Sequence, residues 1–134
     1  MITYLEVEDE VAQIVAERPR FIYIAPDLSV TAQYVHEDHL SGNLSRGCIV
    51  AHWAHQFHGV SLTALHCREG MPADLAIRSL RLQLERRAIT FLQRLQKRQD
   101  EHYTWLEAFE DARALATSVR YTSAQDLDTG AGQI

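Results

Sequence analysis

Residues 47–59 read GCIVAHWAHQFHG and place one cysteine and three of the chain's seven histidines inside a short apolar stretch. On a helix beginning at Cys48, steps of about 100° per residue bring Cys48, His52, His55 and His58 to one side. Ile49, Val50, Trp53, Ala54 and Phe57 fall on the other. Imidazoles three residues apart, with a thiolate one turn earlier, are ligands that zinc takes, so Cys48, His52 and His55 form a candidate metal set. His36, His39 or His66 could add a ligand from neighbouring elements. The same residues admit a nucleophile, because a cysteine at a helix N-terminus has a lowered pKa, with His52 as its general base. Neither chemistry carries its usual signature, since the chain has no HExxH, no paired CxxC and no Asn or Asp fixed beside the base. The plainer reading is a packed helix in which Cys48 behaves as a small hydrophobe and the histidines bond to a loop or to solvent. On that reading no cofactor is expected and no residue is catalytic.

A second candidate is electrostatic. Seven of the thirteen basic residues, Arg78, Arg81, Arg86, Arg87, Arg94, Lys97 and Arg98, fall in one stretch whose single acid is Glu85. Arg86, Arg87 and Arg94 are the candidate nucleic-acid contacts within it. The formal charge of the whole chain is −5, and the basic residues spread widely around the helix without interleaved aromatics. A solvated surface, partly neutralised by the acidic first and last helices, explains them more simply. Glu8, Asp9, Glu10, Glu110 and Asp111 read as helix-surface charges.

These residues must be positioned by a small set of elements. Val7, Val11, Ile14 and Val15 have helical spacing, which predicts a helix over 6–17 ending before Pro19. FIYIA (21–25) and VTAQYVH (30–36) flank a Pro-Asp turn signal and predict a β-hairpin, with 37–46 as a polar loop. The Cys/His helix follows to Phe57 and is stopped by Gly59. Ser61 is placed to cap a short helix. From Ala73 to Asp100, the positions 77, 80, 84, 88, 91 and 95 form one apolar stripe with an eleven-residue recurrence. It belongs to the longest element, either unbroken or divided near Glu85 or Arg86. Thr104 and Glu107 have capping-box spacing and open a last helix over 105–116. The expected fold is mainly α, about five helices and one hairpin near 21–36, with the Cys/His helix between hairpin and long helix.

With 134 residues and 46% apolar content, the chain is expected to form one domain over 1–116, followed by a mobile tail over 117–134. Two cysteines are too few for a disulfide framework, and no apolar run has the length of a membrane span. A cytoplasmic location and no membrane contact are therefore expected. The length of the long helix also permits pairing with a second copy.

ERPRFIYIAP, GCIVAHWAH, HGVSLTAL and LQKRQDEHYTWLEAFEDA together resemble a group of small proteins encoded by actinobacteria and their bacteriophages. Those show an Arg-Pro-aromatic strand, a Cys-Ile/Val-Val-Gly-His helix closed by Gly-Val, and a C-terminal Gln-Asp…Trp-x-Glu-Ala segment. The correspondence touches much of residues 17–112 in short pieces. This chain departs from it with Ala51 where Gly is common and one added residue before Gly59. The resemblance implies a cytoplasmic accessory protein and assigns no activity and no catalytic residue. The expected function is thus non-enzymatic binding of another protein, a host factor among the partners. The competing classes are an enzyme built on Cys48, His52 and His55 and a nucleic-acid-associated protein using residues 78–98.

Overall fold

The computed structural model describes residues 1–25 and 33–118. Its first helix, α1 (Tyr4–Glu17), opens on a capping box: the Glu6 N–H donates to Thr3 Oγ1 at 3.2 Å, and the Thr3 N–H donates to Glu6 Oε1 at 3.0 Å. Its buried face is Val7, Val11, Ile14 and Val15, the stripe expected from spacing. After Pro19 the chain is extended through 21–25, with Tyr23 buried and Ile22 and Ile24 outward. This segment is pinned to the far end of the chain. Ile22 forms an antiparallel bridge with Thr104, and the N–H groups of Trp105 and Leu106 donate to the carbonyls of Phe21 and Pro19.

Among the described residues the one hairpin lies later than expected. Strand β1 (Val35–Glu37) pairs antiparallel with β2 (Leu44–Arg46), Val35 opposite Arg46 and Glu37 opposite Leu44. The segment read as a polar loop is its turn and second strand. Asp38 organises the turn: its N–H donates to Asn43 O at 2.9 Å, its carbonyl accepts from Gly42 N at 2.7 Å, and its carboxylate takes the Ser41 N–H and hydroxyl. Gly42 has φ +75°, a conformation natural for glycine. Asp, Ser, Gly and Asn were turn signals all along. The β-rich composition of 21–25 instead reflects an extended segment whose partner is the start of the last helix. Residues 26–32, including the expected Pro-Asp turn, lie outside the described residues.

Helix α2 (Ile49–His58) has Cys48 as its N-cap and Gly59, at φ +66°, as its left-handed C-cap. Helix α3 (Leu62–His66) is capped by Ser61, whose hydroxyl accepts the Ala64 N–H at 3.1 Å. The long element is divided into α4 (Ala73–Ser79) and α5 (Arg86–Asp100). Arg81 takes a positive φ of 62° after α4, and the N-terminus then occupies the gap as a short parallel bridge between Ile2 and Leu84. Helix α6 (Trp105–Ser118) starts at the Thr104–Glu107 capping box, with the reciprocal bonds at 2.9 and 3.1 Å. The described residues therefore hold six helices and one two-stranded sheet. Residues 119–134, most of the expected tail, lie outside the described set.

Helix α5 is the centre of the assembly and touches α1, α2, α4 and α6. Its Phe91 meets Tyr4 edge-on at 5.5 Å and Phe109 at 6.0 Å. On α6 the fully buried Ala108, Ala112 and Ala116 recur every four residues, so small side chains line its buried face beside α5. Helix α2 lies between β2 and α5, the placement expected for the Cys/His helix.

Candidate functional site

The helix expected to carry chemistry is held at both ends by side chains from elsewhere. Cys48 occupies the N-cap but makes no capping bond, a position where Ser, Thr, Asp or Asn is usual. Gln99 of α5 substitutes for it. Its Oε1 accepts the Ile49 N–H at 2.7 Å and the Trp105 indole N–H at 3.3 Å, while its Nε2 donates to Asp100 Oδ1 at 3.1 Å. One fully buried amide thus joins the starts of α2 and α6. At the other end of α2, Glu10 Oε1 accepts the Trp53 indole N–H and lies against His58 Nε2, both at 2.8 Å. His55 Nδ1 donates to Val60 O at 2.8 Å, within the C-cap turn.

Ile49, Val50, Trp53 and Ala54 are buried as the wheel requires, but the opposite side of α2 is not left to solvent. Cys48 is wholly buried, and burial pushes its thiol up to about 12. The Ala51 and Val50 N–H groups and the Gln96 amide act the other way without forming bonds of ordinary geometry to it. His52 rests edge-on against Trp105 at 5.1 Å. Burial, reinforced by the nearby Arg46 and Arg18, pulls its pKa down to about 4. The surroundings oppose a dipole-activated thiolate, the alternative weighed against the packed helix: desolvation outweighs the helix N-terminus, and the imidazole of His52 is packed on an indole. Cys67, in contrast, is exposed.

The candidate ligands Cys48, His52 and His55 are each engaged in packing or a backbone bond. Among the described residues no group of three or more His, Cys, Asp or Glu is placed to hold a metal ion. Of the other histidines, His36 Nε2 lies 2.9 Å from the Tyr23 hydroxyl with the rings stacked, and His66 lies between Glu37 and Glu69. Glu69 also fastens β1, since its carboxylate takes the N–H groups of Tyr34 and Val35.

Several residues of the basic stretch are engaged by other parts of the chain. Arg87 donates to Ala116 O at 2.9 Å and lies over the Tyr4 ring. Arg94 and Arg98 share Asp111 Oδ2 at 3.0 and 2.9 Å, and this holds the Asp111 carboxyl below its ordinary range. Arg98 and Lys97 also pair with Glu101. The last helix meets the basic helix as the charge pattern suggested. Arg86, the third candidate contact, lines a hollow between α4 and α5 with Arg78 and Thr90.

Sequence reasoning overlooked Gln96, Gln99 and Asp100. A signal existed: Leu92, Leu95, Gln96 and Gln99 have the i, i+3, i+4, i+7 spacing of one buried face, so two amides stood where apolar residues belong. Gln96 lies on the wall of a pocket of about 380 Å³ between α5 and the start of α4. Asp100 lies in the same wall, and burial raises its carboxyl to about 6. Comparison of the chain with protein-family models, with curated proteins and with solved structures gave no match.

Proposed function

We propose that the protein is a phage-type accessory protein that works by binding another protein, a host factor when it serves a phage, in the cytoplasm. The observation that carries this reading is the outer side of the extended segment. Ile22 and Ile24 are 45% and 61% exposed there, and Leu106 at 38% lies beside the same junction on the first turn of α6. Apolar side chains presented together on a pinned, extended backbone suit a protein partner, which can cover them at little cost in ordering. The competing readings draw less support. The Cys48 thiol is buried and hard to ionise, and Arg94 and Arg98 are committed to Asp111. No helix among the described residues is long and apolar enough to cross a membrane.

The test is affinity capture with purified wild-type protein and an Ile22→Ser/Ile24→Ser variant, from lysates treated with nuclease and chelator. The reading expects one defined partner, recovered at least about tenfold less by the variant at unchanged melting temperature. A partner retained by the variant would remove this surface from the account. Capture lost on nuclease treatment would favour the nucleic-acid reading through Arg86, Arg87 and Arg94, and capture lost with chelator the metal reading through Cys48, His52 and His55.

A further inference from the structure

Gln96 and Gln99 stand three residues apart on the same buried face of α5, yet their amides have different fates. Every polar atom of Gln99 with a role in the fold is bonded, to Ile49, Trp105 and Asp100. Gln96 is 5% exposed, and neither its Nε2 nor its Oε1 has a hydrogen-bond partner among the described residues. A buried amide without partners is costly, and a leucine or methionine of similar size would pack there without that penalty. Its polar neighbour is the buried Cys48 thiol, to which it makes no hydrogen bond of ordinary geometry, so its capacity to bond is largely unmet.

What lies beside it is a pocket. Gly70, Pro72 and Ala73 form one wall and residues of α5 the other, enclosing about 380 Å³, within the range of small-molecule sites. The charges around it are already balanced or acidic. Lys97 lies 3.3 Å from Glu101, and Asp100 accepts from Gln99. With two carboxyls and one paired ammonium, the wall offers no uncommitted cation to a phosphate or carboxylate. The remaining recognition group is the Gln96 amide, one donor and one acceptor in a plane. Its terminal torsion is soft, so the order of donor and acceptor along that edge can adapt to a ligand without a change in the backbone.

We propose that this pocket binds a small uncharged molecule presenting a hydrogen-bond donor beside an acceptor, read in a paired fashion by the Gln96 amide. Carboxamides, lactams and nucleobases share that edge. Aliphatic Pro72 and Ala73 face the flat body of such a ligand, and Gln93 at the rim gives a further polar contact. The site is separate from the Ile22 and Ile24 surface, and it stands or falls independently of the partner-binding reading.

The experiment is NMR titration of the 15N-labelled full chain with nicotinamide, uracil and adenine, together with the monophosphates of uridine and adenosine. The expected result is a saturable shift of the Gln96 side-chain NH2 signals with at least one neutral probe, with its phosphorylated counterpart binding no more tightly. Gln96→Met is expected to weaken binding at least tenfold while raising the melting temperature. Gln93→Trp, a change on the exposed rim, is expected to block the opening with the melting temperature unchanged, and it decides the matter if Gln96→Met folds poorly. The proposal is overturned if none of the three neutral probes shifts these signals at millimolar concentration, or if binding survives Gln93→Trp. It is equally overturned if the Gln96 NH2 signals show only a long-lived water, for that water would be the missing partner.

Discussion

At the scale of single residues, two half-buried titratable groups beside the same junction oppose each other. Burial lowers His52 from 6.5 to about 4, so the folded state resists a proton that the unfolded chain accepts. Its contribution to stability is complete above 6.5 and is lost as pH falls toward 4. Burial raises Asp100 from 3.8 to about 6, so the folded state holds a proton that the unfolded chain releases. That contribution is complete below about 4 and is lost as pH rises toward 6. The two windows overlap with opposite signs. We expect these two slopes to offset each other in part in the wild type, with each variant exposing the other group. His52→Phe, which keeps a ring against Trp105, should become more stable as pH falls through this range. Asp100→Asn should gain stability at pH 7 and lose it on acidification. Each effect is of the order of 1–3 kcal/mol after allowance for solvent screening, and thermal melts at half-unit pH intervals would read both slopes. The cysteines give a sharper contrast. With Cys48 buried and its thiol raised to about 12, alkylation of the native protein should modify Cys67 alone, and denaturant should release the second site. Modification of Cys48 in the native state at a rate near that of Cys67 would contradict the burial described here.

At the scale of elements, the junctions matter more than the elements. Helix α2 is short, and its N-terminus depends on an amide from α5. Gln99→Leu would leave the Ile49 N–H and the Trp105 indole N–H buried without their acceptor. A loss of roughly 2–4 kcal/mol is expected, measured by denaturant unfolding. The turn from β2 into α2 is equally tight. The Gly47 N–H donates to Tyr34 O at 2.8 Å, and a Cβ on Gly47 would lie 2.8 Å from Gln33 O and 2.9 Å from Tyr34 O. Both neighbours are backbone and cannot rotate aside. Gly47→Ala should therefore cost about 2 kcal/mol or more, and the amides of β1 should exchange with solvent faster. An unchanged exchange pattern would mean that the hairpin yields without cost.

At the scale of the whole molecule, contacts distant in sequence tie the described residues together. The Ile2 N–H donates to Gln83 O at 2.7 Å, the Glu85 N–H donates to Ile2 O at 2.9 Å, and the Tyr4 N–H donates to Glu85 Oε1 at 2.7 Å. The first residues thus complete the gap between α4 and α5, just as the 19–22 segment completes the start of α6. Ile2→Pro removes one of these donors and the regular pairing around it. We expect it to lower stability by about 1–3 kcal/mol and to speed hydrogen exchange at residues 83–88, although these lie some eighty positions away in the chain.

Local patterns were enough for the helices. The spacing of Val7, Val11, Ile14 and Val15, the boundary at Pro19, the stop at Gly59 and the caps at Ser61 and Thr104 each act within one or two turns, so the sequence by itself determined a mainly helical fold with one hairpin. Three things depended on residues far apart. The hairpin's place followed from which segments pair, and strands of three residues are too short to announce themselves. The sequence left open whether the long helix is divided near Glu85 or Arg86; the division is seen where Ile2 pairs with Leu84, across a gap that contains neither Gly nor Pro. The state of Cys48 and His52 followed from desolvation by α5 and α6, and burial is a property of what surrounds a residue. A sequence lists the groups that could react, whereas the tertiary structure sets which remain hydrated, which are bonded, and which, like the Gln96 amide, are left without a partner.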